Sequence, residues 1–227
     1  MGWRGRLTGF DLETTSVDVE SARIVTACIG HAGLDGWEAH TWLLQQSEPI
    51  PAEATAIHGI TTEEANRDGK RPAVALSEIR DALYRAWSEG VPVVGHNVSY
   101  DLTVLDRELR RHGLGGLAID GPVLDTLVLD KLHDRYRRGS RKLVDVAAHY
   151  GITLTEADAH GAEADALASC RIMWKMGGYI ITPEQAHAAQ VDAYREQRES
   201  FASYLASKGE TVEDPNTVWP LKPYTTN

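Results

Sequence analysis

The order of strand-like and helix-like segments is the feature of this chain that most narrows its possible folds. Three strand-like runs come first, over Arg6–Glu13, Arg23–His31 and Glu38–Gln45, and short turn-rich links join them. Because links this short favour antiparallel neighbours, these runs predict a three-stranded meander. The second link contains an Asp-Gly pair, which is typical of a hairpin turn.

Helix and strand signals alternate after this meander. A helical pattern over Ala73–Glu89 precedes the apolar run Val91–Gly95, and a helical pattern over Tyr100–His112 precedes a short strand that begins the run Val123–Leu129. Strands that are separated by helices usually pair in parallel. The sequence therefore predicts an α/β fold, in which a mixed five-stranded sheet (three antiparallel strands, then two parallel) is flanked by helices.

Two units are expected along the chain. Residues 1–180 should form the main domain, with further helices over a short stretch capped by Thr61 or Thr62, over Lys142–Tyr150 and over Ala162–Met176. Residues 181–227 should form a C-terminal extension. Within it, Pro183–Lys208 is rich in Ala and charged residues and predicts one long helix or two shorter ones, followed by an irregular tail.

Composition narrows the possible partners and location. The net charge of −10 argues against binding nucleic acid by overall electrostatics. Basic residues nevertheless cluster within Asp130–Lys142. This segment is either a solvated loop or helix end, or a surface that contacts phosphates. We expect no membrane association and a cytoplasmic location, because the chain has no bilayer-length apolar run and no signal peptide is recognisable. Cys28 and Cys170 are expected to be buried thiols, although a disulfide stays open.

Two acids lie one residue apart in the first strand, within the stretch GFDLETT. Alternate residues of a strand face the same side, so Asp11 and Glu13 should project together. Buried like charges need arginines, protonation or a divalent cation to compensate them. Oxygen ligands at this spacing suit Mg²⁺ or Mn²⁺. An exposed acidic pair at a strand end is the alternative.

Two further acids occur where active-site groups collect. Asp101 lies in the first turn of a helix that directly follows a buried strand. Asp165 shares a helical stripe with apolar residues, so it should point inward and need a partner, unless it is a solvated residue of the first turns. Asp158 and Glu163 compete with it as ligands. His96 is either a helix cap or a site residue.

Three ordered motifs resemble those of the DEDDh family of 3′–5′ exonucleases, which includes the proofreading epsilon subunit of bacterial DNA polymerase III. They are DLETT from Asp11, HNVSYD from His96 and HGAEAD from His160. The resemblance implies a ribonuclease H-like fold and two divalent ions, Mg²⁺ or Mn²⁺. It implies that Asp11, Glu13, Asp101 and Asp165 hold these ions and that His160 is the general base. These five residues are the expected catalytic set.

The resemblance also implies a pocket for a 3′-terminal nucleotide. Its expected substrate-binding residues are Leu12, Thr14, Thr15, His58, Ile60, Asn97 and Tyr100. Ordinary loop packing is the alternative for His58 and Ile60, and helix capping for Asn97.

The implied activity is hydrolysis from the 3′ end of single-stranded nucleic acid, with DNA favoured, to release 5′-mononucleotides in DNA proofreading or repair. A DNA polymerase or a sliding clamp is a further expected partner, although Gln197–Phe201 is only loosely similar to a clamp-binding peptide. The alternatives are an exoribonuclease of the same family, a non-catalytic module that binds nucleic acid or a polymerase, and a small-molecule metallohydrolase.

Overall fold

A computed structural model of the chain describes residues 5–154, 161–177, 182–210 and 216–225. Its strands are β1 (Leu7–Thr14), β2 (Ile24–Gly33), β3 (Gly36–Leu43), β4 (Val93–Gly95) and β5 (Val123–Asp125). They form one sheet in the order β3-β2-β1-β4-β5. The first three strands pair antiparallel, whereas β4 pairs in parallel with both β1 and β5. The predicted mixed sheet is therefore confirmed.

Helices flank this sheet. They are α1 (Ala52–His58), α2 (Thr62–Asp68), α3 (Pro72–Ser88), α4 (Val98–Arg111), α5 (Thr126–His133), α6 (Leu143–His149), α7 (Ala162–Met176) and α8 (Pro183–Ser207). As expected, Thr61 caps α2, its hydroxyl accepting a hydrogen bond from the Glu64 amide at 3.1 Å. The sequence pattern does not predict α1, which begins after Pro51 with no side-chain capping hydrogen bond to mark its start.

The two faces of the sheet contact different helices. Phe10 and Leu12 of β1 belong to the apolar cluster that contains residues of α3 and α4. Leu7, on the opposite face of β1, belongs to the cluster that contains residues of α6 and α7. Because side chains alternate along a strand, Asp11 and Glu13 share the face of Leu7. The strand therefore directs its acids towards the α7 side.

Helix α8 covers the edge of the sheet at β5. His187 Nδ1 accepts a hydrogen bond from the Val123 amide at 3.1 Å. The buried amide of Gln190 accepts from the Asp125 amide at 2.6 Å and donates to the Val123 carbonyl at 3.1 Å. These side chains occupy the places that another strand would take, so the edge of β5 is closed.

The last described segment, residues 216–225, is irregular, as expected, and packs on the main domain. Trp219 is buried in the apolar cluster of α3 and α4. Arg107 Nη2 donates to the carbonyl oxygens of Lys222 and Pro223, at 3.2 and 2.9 Å. This guanidinium is itself buried and paired with Asp106 and Glu20. The tail is therefore fixed to α4 by both apolar and polar contacts.

Both cysteines are free and buried, so the expected thiol state is confirmed. Among the described helices, none combines the length and apolar character needed to cross a bilayer.

Candidate active site

Three acids from two elements converge at one end of the sheet. One carboxylate oxygen from each of Asp11, Glu13 and Asp165 lies within 4.8 Å of the other two. The first two project from β1, and Asp165 comes from the first turn of α7. Residues more than 150 positions apart in the chain thus form a group of oxygen donors that could hold a divalent cation.

Gly9 allows α7 to approach β1 closely enough for this contact. A Cβ atom on Gly9 would lie 2.8 Å from the Ala166 carbonyl oxygen and 2.9 Å from Cys170 Sγ. Both distances are shorter than real Cβ contacts, so a side chain here would displace the helix. Asp165 directly precedes Ala166 on α7. Gly9 therefore determines how close Asp165 comes to the two acids of β1.

Asp101 lies beside these three acids, on the other side of β1. It belongs to α4, is 4% exposed, and its carboxylate accepts a hydrogen bond from the backbone N–H of Leu12. Pairing of β4 with β1 reaches only Gly9, so the Leu12 amide lies beyond the end of that ladder. Asp101 satisfies this amide and is close enough to Asp11 to perturb its ionisation.

Four ionised carboxylates are electrostatically unfavourable in this site. Burial raises the pKa of the Asp11 carboxyl well above its usual range, and repulsion from Asp101, Asp165 and Glu13 adds to the rise. Burial also raises the pKa of Glu13 to about 7, with a contribution from Asp165. The pKa of Asp101 is raised chiefly by burial, with repulsion from Asp125 added. A bound divalent cation would remove this cost, so the donor set fits a metal ion.

A buried group behind Asp101 supports the start of α4. The Asp125 carboxylate accepts hydrogen bonds from the amides of Asn97 and Leu127, both at 2.9 Å. His96 Nδ1 lies 2.7 Å from the Thr126 hydroxyl, and Nε2 donates to the Arg141 carbonyl at 2.9 Å. His96 therefore does not cap α4. The sequence signal for this group is limited to His96 in the HNVSYD motif.

Asn97 precedes α4 in a left-handed backbone conformation, with φ of 63°. Its side chain makes no capping hydrogen bond and is exposed. Asparagine tolerates this conformation better than most residues. Asn97 is thus the N-cap residue of α4 by its backbone, but its side chain makes no capping hydrogen bond.

A cleft of about 570 Å³ opens beside Glu13. One wall comes from β2 and β3, the other from the first turns of α7, and His58 and Ile60 also line it. His58 Nδ1 accepts a hydrogen bond from the Ile60 amide at 3.1 Å, and burial lowers the pKa of this imidazole. His58 and Ile60, which are expected to bind substrate, therefore line the same cavity as Glu13.

The other expected pocket residues lie at the end of β1. The Thr14 and Tyr100 hydroxyls are hydrogen-bonded to each other at 2.5 Å, and both lie within hydrogen-bond reach of the Ser16 carbonyl oxygen, which accepts. Thr15 Oγ1 accepts a hydrogen bond from the Arg23 amide at 2.9 Å. Leu12 is buried, with its side chain in the α3–α4 cluster. These contacts fix the shape of the strand end next to the acids.

The structure brings most of the predicted residues together but does not describe all of them. His160 and Asp158 lie within residues 155–160, outside the described part of the chain. Glu163 is exposed, and its carboxylate accepts a hydrogen bond from Trp37 Nε1 at 3.2 Å. The competing ligand Glu163 is therefore engaged elsewhere, and it is not one of the three clustered acids.

The sheet order, the flanking helices and the acids at the end of β1 define a nuclease domain with the ribonuclease H-like fold. The chain belongs to the exonuclease family, because the RNase_T family model, described as Exonuclease, matches residues 8–173. The resemblance seen in the three motifs is thus confirmed.

Particular relatives include a DNA polymerase III subunit epsilon-like protein of Rhodobacter capsulatus, which is 30% identical over 74% of this chain and 23% of its own length. An exonuclease of Escherichia phage 186, CP81, is 32% identical over 68% of this chain and 79% of its own. A PolC-type DNA polymerase III of Lacticaseibacillus paracasei is 32% identical over 55% of this chain and 9% of its own. The chain thus spans less than a quarter of the two polymerase-type relatives.

Solved structures confirm the fold. Escherichia coli exonuclease I in complex with a dT13 oligonucleotide matches with a TM-score of 0.62 and 19% identity, over 88% of this chain and 46% of that one. Exonuclease I of Methylocaldum szegediense matches with a TM-score of 0.60 and 21% identity, over 87% and 45%.

Proposed function

We propose that this protein is a metal-dependent 3′–5′ exonuclease that hydrolyses single-stranded nucleic acid, preferably DNA, and releases 5′-mononucleotides. The observation that carries the proposal is the approach of Asp11, Glu13 and Asp165 to within 4.8 Å of one another beside an open cleft. A phosphodiester anion repels nucleophiles, and a group of acids that concentrates cations is one established solution to this problem.

The metal set comprises these three acids and Asp101, as the family resemblance implies. Two ions, Mg²⁺ or Mn²⁺, would lower the pKa of a water molecule and stabilise the leaving 3′ oxygen when bound. The chain's own contribution is to hold the carboxylates at a fixed spacing on β1, α4 and α7. Their raised pKa values mean that cation binding must displace protons, so metal affinity should increase with pH.

The terminal nucleotide would occupy the cleft next to Glu13. Its volume of about 570 Å³ is ample for one or two nucleotides. His58 and Ile60 would contact the terminal bases from one wall. Thr14, Thr15, Asn97 and Tyr100, with the backbone of Leu12, would line the side nearest the acids. Contacts of this kind bind a single strand without hydrogen bonds to the base edges, so we expect little sequence preference.

His160 completes the proposal as the general base, on the strength of the HGAEAD motif alone. An imidazole with a pKa near 6.5 can accept a proton from water at neutral pH. His160→Ala should reduce the rate of a single turnover far more than it reduces Mn²⁺ affinity.

The relatives favour DNA over RNA as the substrate. One neighbour in fold is an exonuclease I complexed with a dT13 oligonucleotide, and two sequence relatives carry DNA polymerase III names. A role in proofreading or repair, in association with a polymerase or sliding clamp, is part of this proposal.

The test compares Asp11→Asn and Asp165→Asn with wild type on matched DNA and RNA oligonucleotides labelled at the 5′ end. With Mg²⁺, wild type should shorten the DNA from its 3′ end one nucleotide at a time. Both variants should lose more than about a thousandfold in rate, because several kcal/mol of metal-dependent stabilisation disappear. Glu38→Gln, an exposed acid of β3, is the control. Full activity in either aspartate variant would refute the metal assignment, and faster digestion of RNA would refute the DNA preference.

A further inference from the structure

A second groove lies away from the cleft, between α8 and the segment that follows α5. Its volume is about 540 Å³. It is lined on one side by Lys131, Arg135, Arg137 and Arg141 and on the other by the C-terminal half of α8, with Phe201 and Tyr204. The proposed hydrolysis uses none of these residues.

The direction of α8 places this groove on the side of the sheet where the acids lie. His187 contacts Val123, Gln190 contacts Asp125, and Gln197 donates to the Val128 carbonyl at 3.2 Å, so α8 runs in the same direction as β5. After residue 190 the helix continues for 17 residues, or about 25 Å. Its second half therefore extends past the carboxyl ends of the parallel strands.

The basic wall of the groove also reaches the acids through the backbone. The Arg141 carbonyl accepts the hydrogen bond from His96, and His96 directly follows β4. Asp101 lies in the first turn of the next helix. The basic wall is thus joined through His96 to the end of β4, directly before the helix that carries Asp101.

Positive charge is concentrated on this wall, although the whole chain carries a net charge of −10. Four cations line the groove against one carboxylate, Glu196. Asp130, buried beneath them, pairs with Arg137 and Arg141. Arg135 is exposed and makes no ion pair or hydrogen bond within the described ranges, so its charge is available to a ligand.

Lys131 is a cation of this wall whose charged form is disfavoured where it lies. Burial lowers the pKa of this ammonium group, and repulsion from Arg141 and Arg198 lowers it further against the attraction of Asp125. An anion in the groove would relieve this repulsion.

The opposite wall presents aromatic rings to solvent. Phe201 is 49% and Tyr204 57% exposed. Three residues apart on a helix, they lie on the same face, next to each other. Exposed aromatic rings opposite a row of cations suit the two parts of a nucleotide, because bases stack on rings while phosphates contact arginines.

We infer that this groove binds the single-stranded nucleic-acid substrate several nucleotides upstream of the 3′ end being hydrolysed, with Arg135 and its neighbours on the phosphates and Phe201 and Tyr204 stacked on bases. The inference rests on the proposed exonuclease activity and adds a second contact region to it. Gln197, part of the segment loosely similar to a clamp peptide, is held by Val128. The same face therefore serves a nucleic acid better than it serves a clamp.

The experiment measures KM and kcat for Arg135→Ala and Phe201→Ala on oligodeoxythymidylates of about 3 and about 20 nucleotides. Phe201→Ala should raise KM for the long substrate about tenfold, the loss expected for one stacked base. Arg135→Ala should also raise it, and should reduce the slope of log KM against log salt by about 0.7, the value for one lost phosphate contact on a single strand. For the short substrate, KM and kcat should stay at wild-type values.

Arg85→Ala is the matched control, because Arg85 is an exposed arginine on α3, outside the groove. It should leave KM unchanged at both lengths. Wild-type KM for the long substrate in both groove variants, or an equal loss at both lengths, would overturn the inference while the exonuclease assignment stands. A wild-type enzyme inactive on every oligonucleotide would overturn the proposed function itself, and the groove assignment with it.

Discussion

Replacing Glu13 by glutamine should stabilise the metal-free protein, because this carboxylate occupies a place that disfavours negative charge. Burial, with a contribution from Asp165, raises the pKa of Glu13 from 4.5 to about 7. A pKa change of this size means that ionised Glu13 destabilises the folded state by about 3 kcal/mol. Glutamine has nearly the same shape without the charge. The free energy of unfolding should therefore rise by about 1 to 3 kcal/mol at pH above 7.

The pH dependence of this gain has a defined sign. The folded-state pKa of Glu13 lies above its unfolded value, so the protonated carboxyl favours folding, and its full contribution is present below pH 4.5. That contribution is lost as the pH rises through about 7. Wild type and Glu13→Gln should thus have similar stabilities near pH 4.5, and the variant should be more stable at alkaline pH.

Urea unfolding followed by circular dichroism, in the presence of a chelator and over a pH series, measures the difference. Glu38→Gln on β3 is the control, because Glu38 is exposed and away from the acids. Saturating Mg²⁺ should reverse the order, since binding to the folded state stabilises wild type and the variant lacks one ligand. Equal stabilities above pH 7, or the same gain in Glu38→Gln, would refute the electrostatic reasoning.

Three other substitutions test how the site and the tail are held. Gly9→Ala should lower the free energy of unfolding by about 1 to 3 kcal/mol in urea and weaken Mn²⁺ binding in calorimetry, because its Cβ meets the Ala166 carbonyl; wild-type values for both would contradict the close-approach argument. Gln190→Ala should leave buried amide and carbonyl groups of β5 unpaired, cost about 1 to 3 kcal/mol, and speed hydrogen exchange in α8, as mass spectrometry would show; unchanged exchange would contradict it. Arg107→Ala should cost about 1 to 3 kcal/mol, measured by thermal unfolding at neutral pH, because the buried Asp106 keeps Arg110 but loses one cation and the tail loses the donor to the Lys222 and Pro223 carbonyls; a loss below about 1 kcal/mol would show that the pair is not held tightly.

The main elements were predictable because their signals are local. The alternation of β1 places Phe10 and Leu12 on one face and the acids on the other, and a period of two is visible in eight residues. The strand-helix alternation after β3 is equally local. The structure starts β3 at Gly36 rather than Glu38, because the hairpin turn is only Leu34 and Asp35, and Gly36, with φ of 114°, already pairs with Gly33.

The contacts between distant segments could not be predicted from the chain alone. Sequence spacing predicts that Asp101 lies near the site, but its hydrogen bond to the Leu12 amide depends on where β4 stops pairing with β1. Gln190 gives no signal that it closes the edge of β5, 65 residues away. Polar side chains in an Ala-rich helix look solvated until the partner strand is known. The role of Gly9 is likewise visible only once α7 is in place.

The attachment of α8 separates two tasks within one small protein. The matched family residues 8–173 end before this helix begins, and a few polar groups join it to the outermost strand. With the groove binding that we infer, sequence changes along its far half would alter how long a strand the protein holds without changing the acids. Binding of the strand and cleavage of its bonds would then depend on different parts of the chain, and the two properties could change independently.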